Sequence, residues 1–138
     1  MAQAIALAIW WAKEGKAGGN IREDLTTRFS YELSQSVDEI REWYGFDASC
    51  AGSVPQALTC ALEATDFEDA VRNAISIGGD SATISSIAGG IAEAMFGLPE
   101  NVAKRVPLYL TPDLIEAVER FYKSGTGPVM GRDPDPPE

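Results

Sequence analysis

The residues best placed for chemistry are Asp80 and Thr83, in the run Gly78-Gly79-Asp80-Ser81-Ala82-Thr83. One helical turn apart, they direct side-chain oxygens toward a common point, as a hard cation such as Mg²⁺ requires. Two oxygens are too few to hold such an ion unaided. The same run has a plain structural reading. The two glycines make a turn, Asp80 caps the helix that follows, and the small side chains through Ala94 serve tight packing.

The composition narrows the chemistry further. The 138 residues include no histidine, which removes Ser-His-Asp and Cys-His nucleophilic sites, HExxH zinc sites and imidazole acid-base catalysis. Carboxylates, hydroxyls and a hard metal ion remain. Twenty-one acidic against 11 basic residues give a formal charge of -10, with no dense Lys/Arg stripe to meet a phosphate backbone, so nucleic acid is not an expected partner. No run approaches the roughly 18 unbroken apolar residues of a membrane span, and no basic segment of a secretory signal follows Met1. A cytoplasmic protein that does not engage membranes is expected. Cys50 and Cys60 lack CxxC spacing, and their apolar helical context favours two buried reduced thiols over a disulfide or zinc site.

The elements that must position Asp80 and Thr83 read as helices. Four capping boxes are predicted: Asn20 with Glu23, Ser36 with Glu39, Ser53 with Gln56, and Thr65 with Glu68. Behind Ser53, the residues Val54, Ala57, Leu58, Ala61 and Leu62 follow the helical period. Behind Thr65, Phe67, Ala70, Val71, Ala74 and Ile75 do the same. A later helix opens at Thr111-Pro112, lines one face with Leu114, Ile115, Val118 and Tyr122, and stops near Gly125. Residues 2–11 read as helix from the outset, without a cap. Asp66, Glu68 and Asp69 suit a first helical turn. Trp10, Trp11, Trp43 and Tyr44 read as core or interface anchors. No alternating apolar pattern calls for a sheet. The expected fold is all-α, a compact multi-helix bundle over residues 1–124, followed by a flexible Gly/Pro-rich tail over 125–138.

Three segments together carry a family resemblance. They are Ser49-Cys50-Ala51-Gly52-Ser53-Val54-Pro55-Gln56-Ala57-Leu58, Glu63-Ala64-Thr65-Asp66-Phe67-Glu68-Asp69-Ala70, and Arg72-Asn73-Ala74-Ile75-Ser76-Ile77-Gly78-Gly79-Asp80-Ser81. This ordered set resembles the C-terminal half of the ADP-ribosylglycohydrolase family, and the similarity reaches from Ala2-Gln3-Ala4 to Phe121-Tyr122. The resemblance implies an all-helical enzyme of about twice this length, which removes ADP-ribose from modified side chains or related conjugates with a pair of Mg²⁺ or Mn²⁺ ions. In the family, a Thr-Asp-Asp type motif near the N-terminus and an Asp-x-Asp-Thr motif at a late helix hold the metals. Asp80 matches the first aspartate of the late motif and Thr83 its threonine, whereas Ala82 stands where the second aspartate belongs. The loop carrying Ser49, Cys50 and Gly52 resembles a region near the adenosine part of the family's ligand.

Two close divalent ions need several anionic oxygens to offset their repulsion. The resemblance therefore implies a truncated member with a vestigial metal pair, Asp80 and Thr83. It assigns no catalytic residue, and no cofactor is expected in the isolated chain. Such a chain is expected to be inactive alone and to act as a binding or interaction module. The alternative is one half of a split or oligomer-completed hydrolase that gains Mg or Mn from its completing partner. Expected partners are a second copy of the chain, covering apolar surface left by the truncation, or a complementary N-terminal-half protein. ADP-ribose is the expected ligand.

Overall fold

A computed structural model describes residues 2–124. Among them every regular element is helical and no strand occurs, as the sequence patterns predict. The chain forms two compact units, Met1–Phe96 and Gly97–Glu138. The predicted tail over 125–138 and the predicted helix stop at Gly125 lie outside the described residues.

The first unit contains α1 (Ala2–Lys13), α2 (Gly18–Phe29), α3 (Val37–Trp43), α4 (Cys50–Glu63), α5 (Phe67–Ser76) and α6 (Ser81–Phe96). Its centre is α4, which packs against α2, α3, α5 and α6. Val54, Ala57, Leu58, Cys60, Ala61 and Leu62 are buried there, together with Ser53 and Thr59. A helix buried on so much of its circumference belongs inside a bundle. Small residues let its neighbours close in. Ala4, Ala8 and Ala12 form the buried stripe of α1, and Ile84, Ala88, Ile91 and Ala92 that of α6. These two helices pack on each other, and side chains of this size let helix axes approach at the short end of the usual range.

Polar contacts tie the shorter helices to this centre. Arg22 on α2 donates from Nη1 to the Leu33 carbonyl at 2.8 Å and lies 3.9 Å from the Glu63 carboxylate. Glu63 in turn accepts from the Val37 N–H at 3.1 Å. One carboxylate at the end of α4 thus satisfies a donor at the start of α3, where the helix has no internal acceptor for it.

Only part of the predicted capping survives. Ser36 and Glu39 form the full reciprocal box. The other three helices begin elsewhere. The Asn20–Glu23 pair falls inside α2, which starts at Gly18 behind Ala17 and has no side-chain cap. Ser53 is buried within α4; the cap is Ser49, whose Oγ accepts from the Gly52 N–H at 3.1 Å. Pro55 therefore lies inside the helix, at the cost of a bond to the Ala51 carbonyl. Asp66, not Thr65, caps α5 and accepts from the Asp69 N–H at 2.8 Å. Spacing alone does not distinguish adjacent oxygen-bearing residues, so tertiary contacts select among them.

The aromatic residues also sort differently from the prediction. Trp10 and Trp43 are more than half exposed, at 56% and 55%, and do not anchor the core. Trp11 is half-buried, with the Lys16 ammonium 4.4 Å above its ring. Ile75, predicted on the apolar face of α5, is exposed, while Ala70 and Ala74 are buried.

The second unit carries α7 (Glu100–Arg105), a 3-10 turn (Val106–Tyr109) and α8 (Pro112–Lys123). Thr111 occupies the predicted cap position of α8 and Pro112 its first turn. None of these three elements has a fully buried residue.

Both described cysteines are free thiols. Cys60 is buried as expected, whereas Cys50 is exposed because α4 begins at that residue. Burial, reinforced by the nearby Glu63 carboxylate, pushes the Cys60 thiol up from 9.0 to about 12. Below the lower value both folded and unfolded chains keep the proton. Between the two values only the unfolded chain releases it. Stability should therefore fall above pH 9 by up to about 1.4 kcal/mol per pH unit from this group. Denaturant titrations from pH 8 to 11, compared with Cys60→Ala, should show a shallower decline in the variant; parallel declines would disprove the assignment.

Candidate functional site

The turn between α5 and α6 is built by two glycines in the left-handed region, Gly78 at φ 77° and Gly79 at φ 64°. That geometry is inexpensive for glycine and strained for other residues. It brings Asp80 to the start of α6. There the Asp80 carbonyl accepts from the Ile84 N–H at 3.0 Å, and its Oδ1 accepts from the Thr83 N–H at 3.3 Å. Thr83 Oγ1 donates to Asp80 Oδ2 at 2.8 Å. The two predicted site residues do converge. Their mutual bonds are those of a capped helix start. Ala82 is exposed between them and offers only a methyl group.

The loop after α3 meets this turn from the other side. A Cβ on Gly79 would run into the Tyr44 ring and would lie 2.7 Å from the Gly45 carbonyl oxygen, so the glycine permits a contact that no side chain would allow. The Tyr44 hydroxyl donates to the Asp47 backbone carbonyl at 3.5 Å. That hydroxyl is held above the usual phenol range first by burial and further by the negative charges of Asp47 and Asp80, against a hydrogen bond with Ser53 that lowers it.

Asp47 organises the loop that leads into α4. Its Oδ1 accepts from the Ser49 N–H at 2.8 Å, and its backbone carbonyl accepts from Ser53 Oγ at 3.0 Å. Bonds with Ser49 hold its carboxyl below the ordinary value. Its carboxylate fills the space where a Gly52 side chain would stand. The predicted ligand residues Ser49, Cys50 and Gly52 thus form the first turn of α4, with Ser49 as cap, Cys50 exposed and Gly52 against Asp47.

Sequence reasoning missed Asp47 and read Tyr44 only as a core or interface anchor; it does pack against the core. An aspartate two residues ahead of Ser49 is an Asx-turn signal that marks Asp47. The contact of Tyr44 with Gly79 carried no local signal, because that turn is distant in sequence.

The donor set decides whether the implied metal pair fits. Among the described residues, no group of three or more His, Cys, Asp or Glu side chains is arranged to hold a metal ion. Asp80 and Thr83 supply one carboxylate and one hydroxyl, and Ala82 supplies none. A dinuclear site needs more anionic oxygen than this, so these residues do not fit it.

A family model described as ADP-ribosylglycohydrolase matches residues 1–128. No curated protein and no solved structure matches the chain. The family match corrects one expectation from sequence. It runs over nearly the whole chain and is not confined to a C-terminal half, so the half-length truncation is not supported.

Replacing Gly79 with alanine should cost about 1–3 kcal/mol, through left-handed strain and displacement of Tyr44 and Gly45. Gly90→Ala, in open space within α6, should instead stabilise by roughly 0.5–1 kcal/mol. Chemical denaturation of both variants checks the pair, and equal effects would show that the Gly79 contact is not close.

Proposed function

Because this chain belongs to the ADP-ribosylglycohydrolase family, we propose that it is a binding member of that family, which recognises an ADP-ribose-type ligand without hydrolysing it unaided. The observation that carries this reading is Ala82. It stands where the family resemblance calls for the second metal aspartate, and it leaves Asp80 as the only carboxylate on its turn. Without a full set of anionic ligands, a metal pair has too little charge to hold it and to orient ribose hydroxyls for attack by water.

Ligand recognition asks less of the site than catalysis does. Tyr44 lies against Gly79, the neighbour of Asp80, and donates to the Asp47 carbonyl, and carboxylates and phenols are effective partners for sugar hydroxyls. The ligand residues in this reading are Ser49, Cys50 and Gly52, with Asp80 and Thr83 opposite.

Calorimetric titration with ADP-ribose should give saturable binding that Asp80→Ala weakens, while release of ADP-ribose from a modified peptide in Mg²⁺ stays at background. Turnover by the unmodified chain, or no binding at all, would overturn the proposal. Ala82→Asp should raise Mn²⁺ affinity by about tenfold or more, since a second carboxylate joins Asp80 and Thr83. Unchanged affinity would mean that the turn no longer converges on a cation.

A further inference from the structure

A groove of about 580 Å³ lies between α1 and the C-terminal end of α2, and no residue of the turn that carries Asp80 lines it. Gln3, Ala6 and Leu7 share one face of α1 at the helical spacing and form one wall. Arg28 and Phe29, from the last turn of α2, form the other. Ala6, Leu7 and Phe29 make the lining largely apolar. Phe29 packs on the core and stacks on Tyr31 with ring centroids 5.8 Å apart, which fixes its wall. The polar groups of the lining are the Gln3 amide and the Arg28 guanidinium.

Arg28 stands out by its lack of a counter-charge. Of the basic side chains in the first unit, Lys16, Arg22, Arg41 and Arg72 are each ion-paired. Arg28 pairs with no carboxylate among the described residues, in a chain whose formal charge is -10. Lys13 has no ion pair either, but it does not line the groove. The guanidinium of Arg28 lies 6.0 Å from the centroid of the Trp11 ring. A ring attracts the charge but supplies none of the oxygen acceptors that the five N–H donors fit. Lys16 sits over the same ring at 4.4 Å, and its charge is already answered by Asp24.

A concave, mostly apolar lining with one cation and one amide suits a small amphipathic anion. The planar fork of arginine matches a carboxylate with two parallel hydrogen bonds, and the amide offers a further donor. A bare anion such as phosphate would leave the apolar walls in water. We propose that this groove binds an aliphatic monocarboxylate of medium length, with its carboxylate on Arg28 and Gln3 and its chain against Ala6, Leu7 and Phe29. The proposal is independent of the ligand reading given above. Arg28 is exposed, so the ion pair is screened by water and the affinity falls in the range of about 0.1–1 mM.

Calorimetric titration of the full chain with octanoate should show one saturable site. Octanol, its neutral counterpart, should bind about tenfold more weakly, and acetate, which has the charge without the chain, should not compete. Arg28→Gln should bring octanoate down to the level of octanol and leave octanol unchanged. Ala6→Trp, at an exposed position, should fill the groove and abolish binding of both, with circular dichroism showing that the helices persist. ADP-ribose should leave the octanoate titration unaltered. Absence of saturable octanoate binding, equal binding of octanol, or binding untouched by either substitution would overturn the proposal. Displacement by acetate would reduce the site to surface charge, and displacement by ADP-ribose would place octanoate in the other site; either result would overturn it. Self-association of the unmodified chain that Ala6→Trp abolishes would show the groove to be filled by a second copy, and would overturn it equally.

Discussion

The larger unit depends on the enclosure of α4. Its burial requires neighbours that approach closely, and the alanine stripes of α1 and α6 supply that proximity. Larger side chains at Ala4, Ala8, Ala88 or Ala92 would push the helices apart or force off-rotamer packing. The loop that leads into α4 meets the turn that opens α6 where Tyr44 and Gly45 approach Gly79.

The turn that opens α6 is set by backbone geometry and carries one carboxylate, Asp80. Gly79 still brings the Tyr44 ring and the Gly45 carbonyl against the turn, and Asp80 and Thr83 still converge. A carboxylate contributes strongly to a divalent site because several negative groups act together on the ion, and the methyl group of Ala82 offers none. Asp80 is then left with the local task of satisfying the free N–H groups of a helix start.

The sequence by itself determined the all-α class, the family, the capping box at Ser36 and the pairing of Asp80 with Thr83. The family follows from the resemblance of an ordered set of segments spread over the chain; the other three follow from spacing, since helical periodicity and reciprocal caps are properties of neighbours within a few residues. The tertiary structure alone decided which oxygens cap α4 and α5, that α2 starts without a side-chain cap, that Cys50 is exposed while Cys60 is buried, and that Trp10 and Trp43 lie outside the core. It alone brought Tyr44 and Asp47 to the turn that carries Asp80. These outcomes depend on which helix faces which, and contacts between residues far apart in the chain leave no periodic mark on it.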